Sequence, residues 1–85
     1  MNKKNKTLIK IVEKDLMKDE VWGYAYVNKN LIELEQLMKG RRRFSVLIHE
    51  LVHKALPELT EKETTRVEKI LFRNLWAQNY RKVDQ

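Results

Sequence analysis

His49 and His53, the only histidines of this chain, stand four residues apart in His49-Glu50-Leu51-Val52-His53. On an α-helix, residues i and i+4 stack on one face, so two imidazoles at this spacing can hold one zinc ion at roughly 2.0 to 2.1 Å. Glu50, about 100° further round such a helix, is badly placed to be a ligand. It is well placed to reach a water beside the metal and take its proton, the arrangement of an H-E-x-x-H metallohydrolase.

Two histidines are one ligand short of a catalytic zinc site, which draws three from the protein and leaves a fourth position for water. The chain has no cysteine and no third histidine. The remaining donor must then be a carboxylate, and Glu58, Glu61, Glu63 and Glu68 follow the motif. Glu58 comes directly after Pro57 in a turn and can point anywhere. Glu63 is suited to capping a helix, and Glu68 stands about two turns, or roughly 10 Å, beyond Glu61 on the shared face. The order of preference is Glu61, Glu63, Glu68.

These residues need a helix, a turn and a second helix, and the pattern supplies them. Phe44, Leu47, Ile48, Leu51, Val52 and Ala55 follow an i, i+3, i+4, i+7 stripe from Phe44 to Leu56, with the histidines roughly 150° from its middle. Pro57, the one proline, disfavours helix in the residue before it. Thr60 with Glu63 forms a capping box for a second helix, about Glu61 to Tyr80, striped by Val67, Ile70, Leu71 and Leu75. Upstream, Thr7 to Val12, Trp22 to Val27 and Leu31 to Gln36 read as strands, the last two joined by the turn-prone Asn28-Lys29-Asn30. The expected fold is α+β: a small antiparallel sheet of about three strands followed by an active-site helix and a second helix.

Eighty-five residues form one domain, spanning 1–85 with residues 1–6 a charged tail. A domain this small buries little more than about 60% of its unfolded surface, so a bound metal would add usefully to its stability. No apolar run approaches the roughly 20 residues of a membrane span, and no apolar signal core follows the N-terminal lysines, so the expected location is cytoplasmic. The net charge of +6 favours anionic partners without specifying one. Arg41-Arg42-Arg43 opposes the dipole of the helix it begins and is read first as a solvated cluster, with nucleic acid a less favoured partner. Trp22, Tyr24 and Tyr26 read as sheet packing, though either tyrosine would serve as an oxyanion donor if its strand borders the cleft. Trp76 and Tyr80 read as core or cap residues.

The run Leu47-Ile48-His49-Glu50-Leu51-Val52-His53, then Ala55-Leu56-Pro57-Glu58-Leu59-Thr60-Glu61, with Leu75-Trp76 and Tyr80-Arg81, resembles the short zincin-like metallopeptidases found largely in bacteriophage genomes, which are similar to minimal gluzincins. The resemblance covers roughly residues 31 to 81 and departs from the pattern at Lys54, where a small residue is usual. It implies a sheet whose edge strand borders the cleft, a helix carrying two ligands, and Glu61 on the next helix as the third. It also implies a host-cytoplasmic location if the chain is phage-encoded. The resulting expectation is a zinc-dependent metallopeptidase with His49, His53 and Glu61 as metal ligands, Glu50 as general base, and a peptide lying along Leu31 to Gln36 if that strand is the sheet edge. The alternative is a metal-stabilised module that binds protein or nucleic acid without catalysis.

Overall fold

The alternation Ile32, Glu33, Leu34, Glu35 builds the strand around which the molecule is arranged. In the computed structural model, which describes residues 8–81, this is β3 (Leu31–Glu35), flanked by β1 (Lys10–Lys14) and β2 (Gly23–Ala25), and followed by helices α1 (Gly40–Ala55) and α2 (Glu61–Ala77). Ile32 and Leu34 are fully buried and form the core with Met38. Val46, Leu47 and Leu51 of α1 pack onto that core, with Ile9, Ile11 and Ala25 beside it. The class is α+β as expected. Of the first expected strand, Thr7 lies outside the described residues, as does the tail 1–6.

The sheet is mixed, not antiparallel. Its order is β1-β3-β2, with β1 parallel and β2 antiparallel to β3. The cause lies between β1 and β2. Leu16 is buried, a single 3₁₀ turn follows at Met17–Asp19, and Glu20 adopts a left-handed φ of 59°. This carries the chain past the position of β3 before it reverses, so the hairpin β2–β3 inserts β3 into the middle. Leu31 to Gln36 is therefore not the sheet edge. Its main chain is engaged on both sides, and the edges are β1 and β2, of which β2 lies beside α1.

Glu33 and Glu35, which alternation alone would send to solvent, are also buried. Glu35 accepts hydrogen bonds from the Leu16 amide at 2.7 Å and the Leu37 amide at 3.0 Å. It thereby ties together the loops that leave β1 and β3 at one end of the sheet, and charge-assisted bonds of this kind offset the cost of burying a carboxylate. Glu33 accepts from Lys14 Nζ at 3.2 Å and shares a side-chain hydrogen bond with Tyr26.

Helix α1 buries Ile48 and Val52, as its stripe requires, and ends with the Leu56 amide on the Val52 carbonyl at 2.8 Å, one residue before Pro57. Thr60 and Glu63 form the expected capping box: Thr60 Oγ1 accepts from the Glu63 amide at 3.1 Å, and Glu63 Oε1 from the Thr60 amide at 2.8 Å. The expected stripe of α2 is partly out of phase. Ile70 and Leu71 are exposed, and Thr64, Glu68, Phe72 and Trp76 turn toward α1. An aromatic cluster explains the phase, because Phe72 and Trp76 stack at 5.5 Å and both meet Phe44, at 5.8 and 5.7 Å. The helix stops at Ala77, short of Tyr80, where Asn79 takes a left-handed φ of 66° that asparagine tolerates. No helix among the described residues is long and apolar enough to cross a membrane.

Gly40 enters α1 with φ at +56°, and beyond its chain neighbours and the helix's own backbone no atom lies within 4 Å of where its Cβ would be. The cost of Gly40→Ala should therefore be conformational alone. Urea unfolding is expected to show a loss of about 1 to 2 kcal/mol, and an unchanged stability would mean that the helix begins elsewhere.

Candidate metal centre

Because Val46, Leu47 and Leu51 lay one side of α1 on the sheet, the side that carries Phe44, Ser45 and His49 is left to meet α2. The contacts run in opposite directions along the two helices: Ser45 with Glu68, His49 with both Glu68 and Glu61, and His53 with Glu61. The helices are therefore antiparallel, as the short turn around Pro57 demands. His49 Nε2 lies 2.7 Å from Glu61 Oε2, and His53 Nε2 lies 3.0 Å from Glu61 Oε1. One donor atom from each of the three residues falls within 4.8 Å of the others.

The donor set fits zinc chemically. Two imidazole nitrogens and a carboxylate oxygen are the ligands zinc takes when no thiolate is present. The far side of His49 is also prepared, since Nδ1 lies 2.9 Å from Glu68 Oε1, and the second oxygen of that carboxylate accepts from Ser45 Oγ. A carboxylate on Nδ1 fixes the ring orientation and keeps that nitrogen protonated, directing the Nε2 lone pair toward a metal. Glu61 is mostly exposed, whereas Glu68 is half-buried between the helices.

Glu50 stands on the flank of His49 and His53 that faces β2. The close approach of α1 there depends on Gly23: a Cβ at that position would meet Val46 Cγ1 at 2.9 Å and Glu50 Cγ at 3.1 Å. Desolvation raises the Glu50 pKa above the ordinary carboxylate value, while the His53 and His49 charges pull it down and Glu61 adds to the rise; the balance is upward. Burial lowers the His49 pKa, but hydrogen bonds to Glu68 and Glu61 and the charges of Glu61 and Glu50 outweigh it, so the net shift is upward.

A cleft of about 510 Å³ opens beside the group, walled by Glu50, His53, Lys54 and Pro57 on one side and by β2 with Tyr26 and Val27 on the other. Trp22 and Tyr26 bond to β3, through Glu35 N to Trp22 O at 2.8 Å and Tyr26 N to Leu31 O at 3.1 Å. By the alternation of an antiparallel ladder, the amides and carbonyls of Gly23 and Ala25 face away from β3, along the open edge.

Of the carboxylates weighed from sequence, Glu61 joins the histidines, Glu63 is held in the capping box, and Glu58 lies exposed in the turn. Glu68, ranked third as a ligand, instead holds the back of His49. Tyr24 and Tyr26 form an edge-to-face pair at 4.9 Å. Gly23 and Ala25 face α1 and the core, so by alternation both rings lie on the opposite sheet face, and Tyr26 is tied to Glu33. The arginine triplet is divided: Arg43 pairs with Glu13 at 2.9 Å, Arg42 lies over Trp22 and Arg41 over Phe72. Sequence reasoning missed Ser45, Gly23 and the contacts of Lys54, whose Nζ donates to the Tyr26 and Lys29 carbonyls. A helical wheel carries a signal for Ser45, which precedes His49 by four residues. Gly23 and Lys54 act across the sheet, where periodicity is silent.

Competition with a chromophoric chelator should rank the zinc affinities. Glu61→Ala removes one of the three converging donors and is expected to weaken binding more than Glu68→Ala, which should cost about 10- to 100-fold through loss of the His49 support. Glu63→Ala should leave affinity intact and cost about 0.5 to 2 kcal/mol of stability through the cap. Equal affinities for wild type and Glu61→Ala would remove Glu61 from the ligand set. No protein-family model, curated protein or solved structure matches this chain, so the reading of the site rests on its own geometry and chemistry.

Proposed function

We propose that the protein is a zinc-dependent metallopeptidase in which His49, His53 and Glu61 hold the metal and Glu50 is the general base. One observation carries the reading: the convergent His49, His53 and Glu61 group adjoins a cleft that has a half-buried carboxylate in one wall and an open strand edge in the other. A zinc ion in that group would supply Lewis acidity, polarising a carbonyl and making water acidic enough to be a nucleophile near neutral pH.

The chain's own residues do the remainder. An extended peptide pairs with Gly23 and Ala25 along the open edge of β2, which aligns its main chain past Glu50. The Glu50 carboxylate takes a proton from the attacking water as its oxygen bonds to the carbonyl carbon. As the carbon–nitrogen bond breaks, Glu50 returns that proton to the departing amine, leaving a new carboxyl group and a free amine. Glu68 and Ser45 keep His49 in place throughout, and Gly23 keeps α1 close enough to β2 for Glu50 to reach the bound chain.

Two substitutions separate a catalytic centre from a merely metal-stabilised module. Glu50→Gln is nearly isosteric and removes no ligand, so zinc stoichiometry should stay at one per chain while cleavage of a mixed peptide library falls by about 10² to 10⁴. Gly23→Ala should likewise retain zinc and lose cleavage, because its methyl group displaces Glu50 and narrows the edge. Cleavage by Glu50→Gln equal to wild type would exclude Glu50 as the base. Zinc without cleavage in every form would leave the binding module as the better description.

A further inference from the structure

The solvent face of α2 carries a cationic row that no ion pair neutralises among the described residues. Lys62, Arg66, Lys69 and Arg73 recur at intervals of four, three and four residues, which places all four on one helical face over about 16 Å. Each is exposed. None has an ion pair, hydrogen bond or ring contact among the described residues. The other described arginines are all occupied, Arg43 by Glu13 and Arg41, Arg42 and Arg81 by aromatic rings. The four side chains line one shallow depression with Ile70, and the acidic residue at its head, Glu61, turns its carboxylate to the histidines.

We propose that this face of α2 docks the phosphate backbone of duplex nucleic acid without reading its sequence. A line of like charges on a rigid helix is self-repelling, and a polyanion relieves that repulsion and releases its own condensed counterions on binding. A single strand fits less well, because single-strand sites add aromatic rings for base stacking and this row contains none. An anionic membrane fits less well because the apolar side of α2, with Phe72 and Trp76, is packed against Phe44 of α1, leaving Ile70 as the one apolar residue among the cations. The proposal does not rest on the peptidase reading.

The test is fluorescence anisotropy of a labelled random-sequence duplex with the whole chain, from 50 to 200 mM salt. Four phosphate contacts predict a slope of log affinity on log salt of about −3.6, or a loss of about 150-fold over that range. Arg66→Gln with Arg73→Gln, both exposed and both good helix formers, should halve the slope to about −1.8. Lys10→Gln with Lys18→Gln removes the same net charge from other exposed, unpaired positions and should leave the slope unchanged. Circular dichroism checks that both double variants remain folded. The proposal is overturned by absence of binding at 50 mM salt or by an equal effect of the two double variants. Tighter binding to a single strand of equal length, or to vesicles of phosphatidylcholine and phosphatidylserine, would overturn it as well.

Discussion

The candidate centre depends on one packing event, the folding of α2 back along α1 with Glu61 and Glu68 seven residues apart. Two helical turns on α2 run beside the span from His53 to Ser45 on α1, so one carboxylate meets both imidazoles and the other reaches behind His49. The aromatic cluster of Phe44, Phe72 and Trp76 sets that alignment at the far end. A helix in any other phase would present Arg66 or Lys69 to the histidines, placing a cation where the donor group needs a carboxylate. The core and the site are thus secured by the same helix face.

Beneath α1, the sheet imposes a second constraint. A helix that lays Val46, Leu47 and Leu51 over Ile32 and Leu34 comes to rest at the usual packing distance unless a side chain is missing. Gly23 is that missing side chain, and it brings the Glu50 flank of α1 against β2. The short crossover through Leu16 and Glu20 then decides which strand lies at the edge. Had β1 and β2 been neighbours, β3 would have bordered the cleft; the parallel pairing of β1 with β3 puts β2 there instead.

Much of this was legible along the chain wherever one element's own period carried the information. The i, i+4 histidines, the stripe with Ile48 and Val52, and the Thr60–Glu63 box are local patterns, and each appears where its spacing puts it. Strand order was not legible, since it depends on how Leu16 and Glu35 secure a crossover between residues far apart in sequence. The face of α2 was misjudged at Ile70 and Leu71 because two aliphatic residues lost to two aromatic ones, whose larger area wins the buried side. Along α2 alone, Glu68 stands about two turns from the connection, too far to meet His53. Its actual neighbour is on α1, where antiparallel packing makes seven residues of one helix equivalent to the return path of the other.

Lys54 shows how a small body compensates for missing scaffold. The turn of the β2–β3 hairpin is held from β1 by the Lys10 amide on the Asn30 carbonyl at 2.9 Å, while β2 is open along the cleft. A small residue after His53 would leave that turn without its tie to α1. The long side chain of Lys54 instead spans from the end of α1 to the Tyr26 and Lys29 carbonyls, and its charge makes each of these hydrogen bonds stronger than a neutral one. Lys54 therefore reaches toward the hairpin and away from the His49, His53 and Glu61 group. It anchors the cleft's outer wall to the helix that carries the histidines, so that the edge of β2 and the Glu50 carboxylate keep a fixed separation.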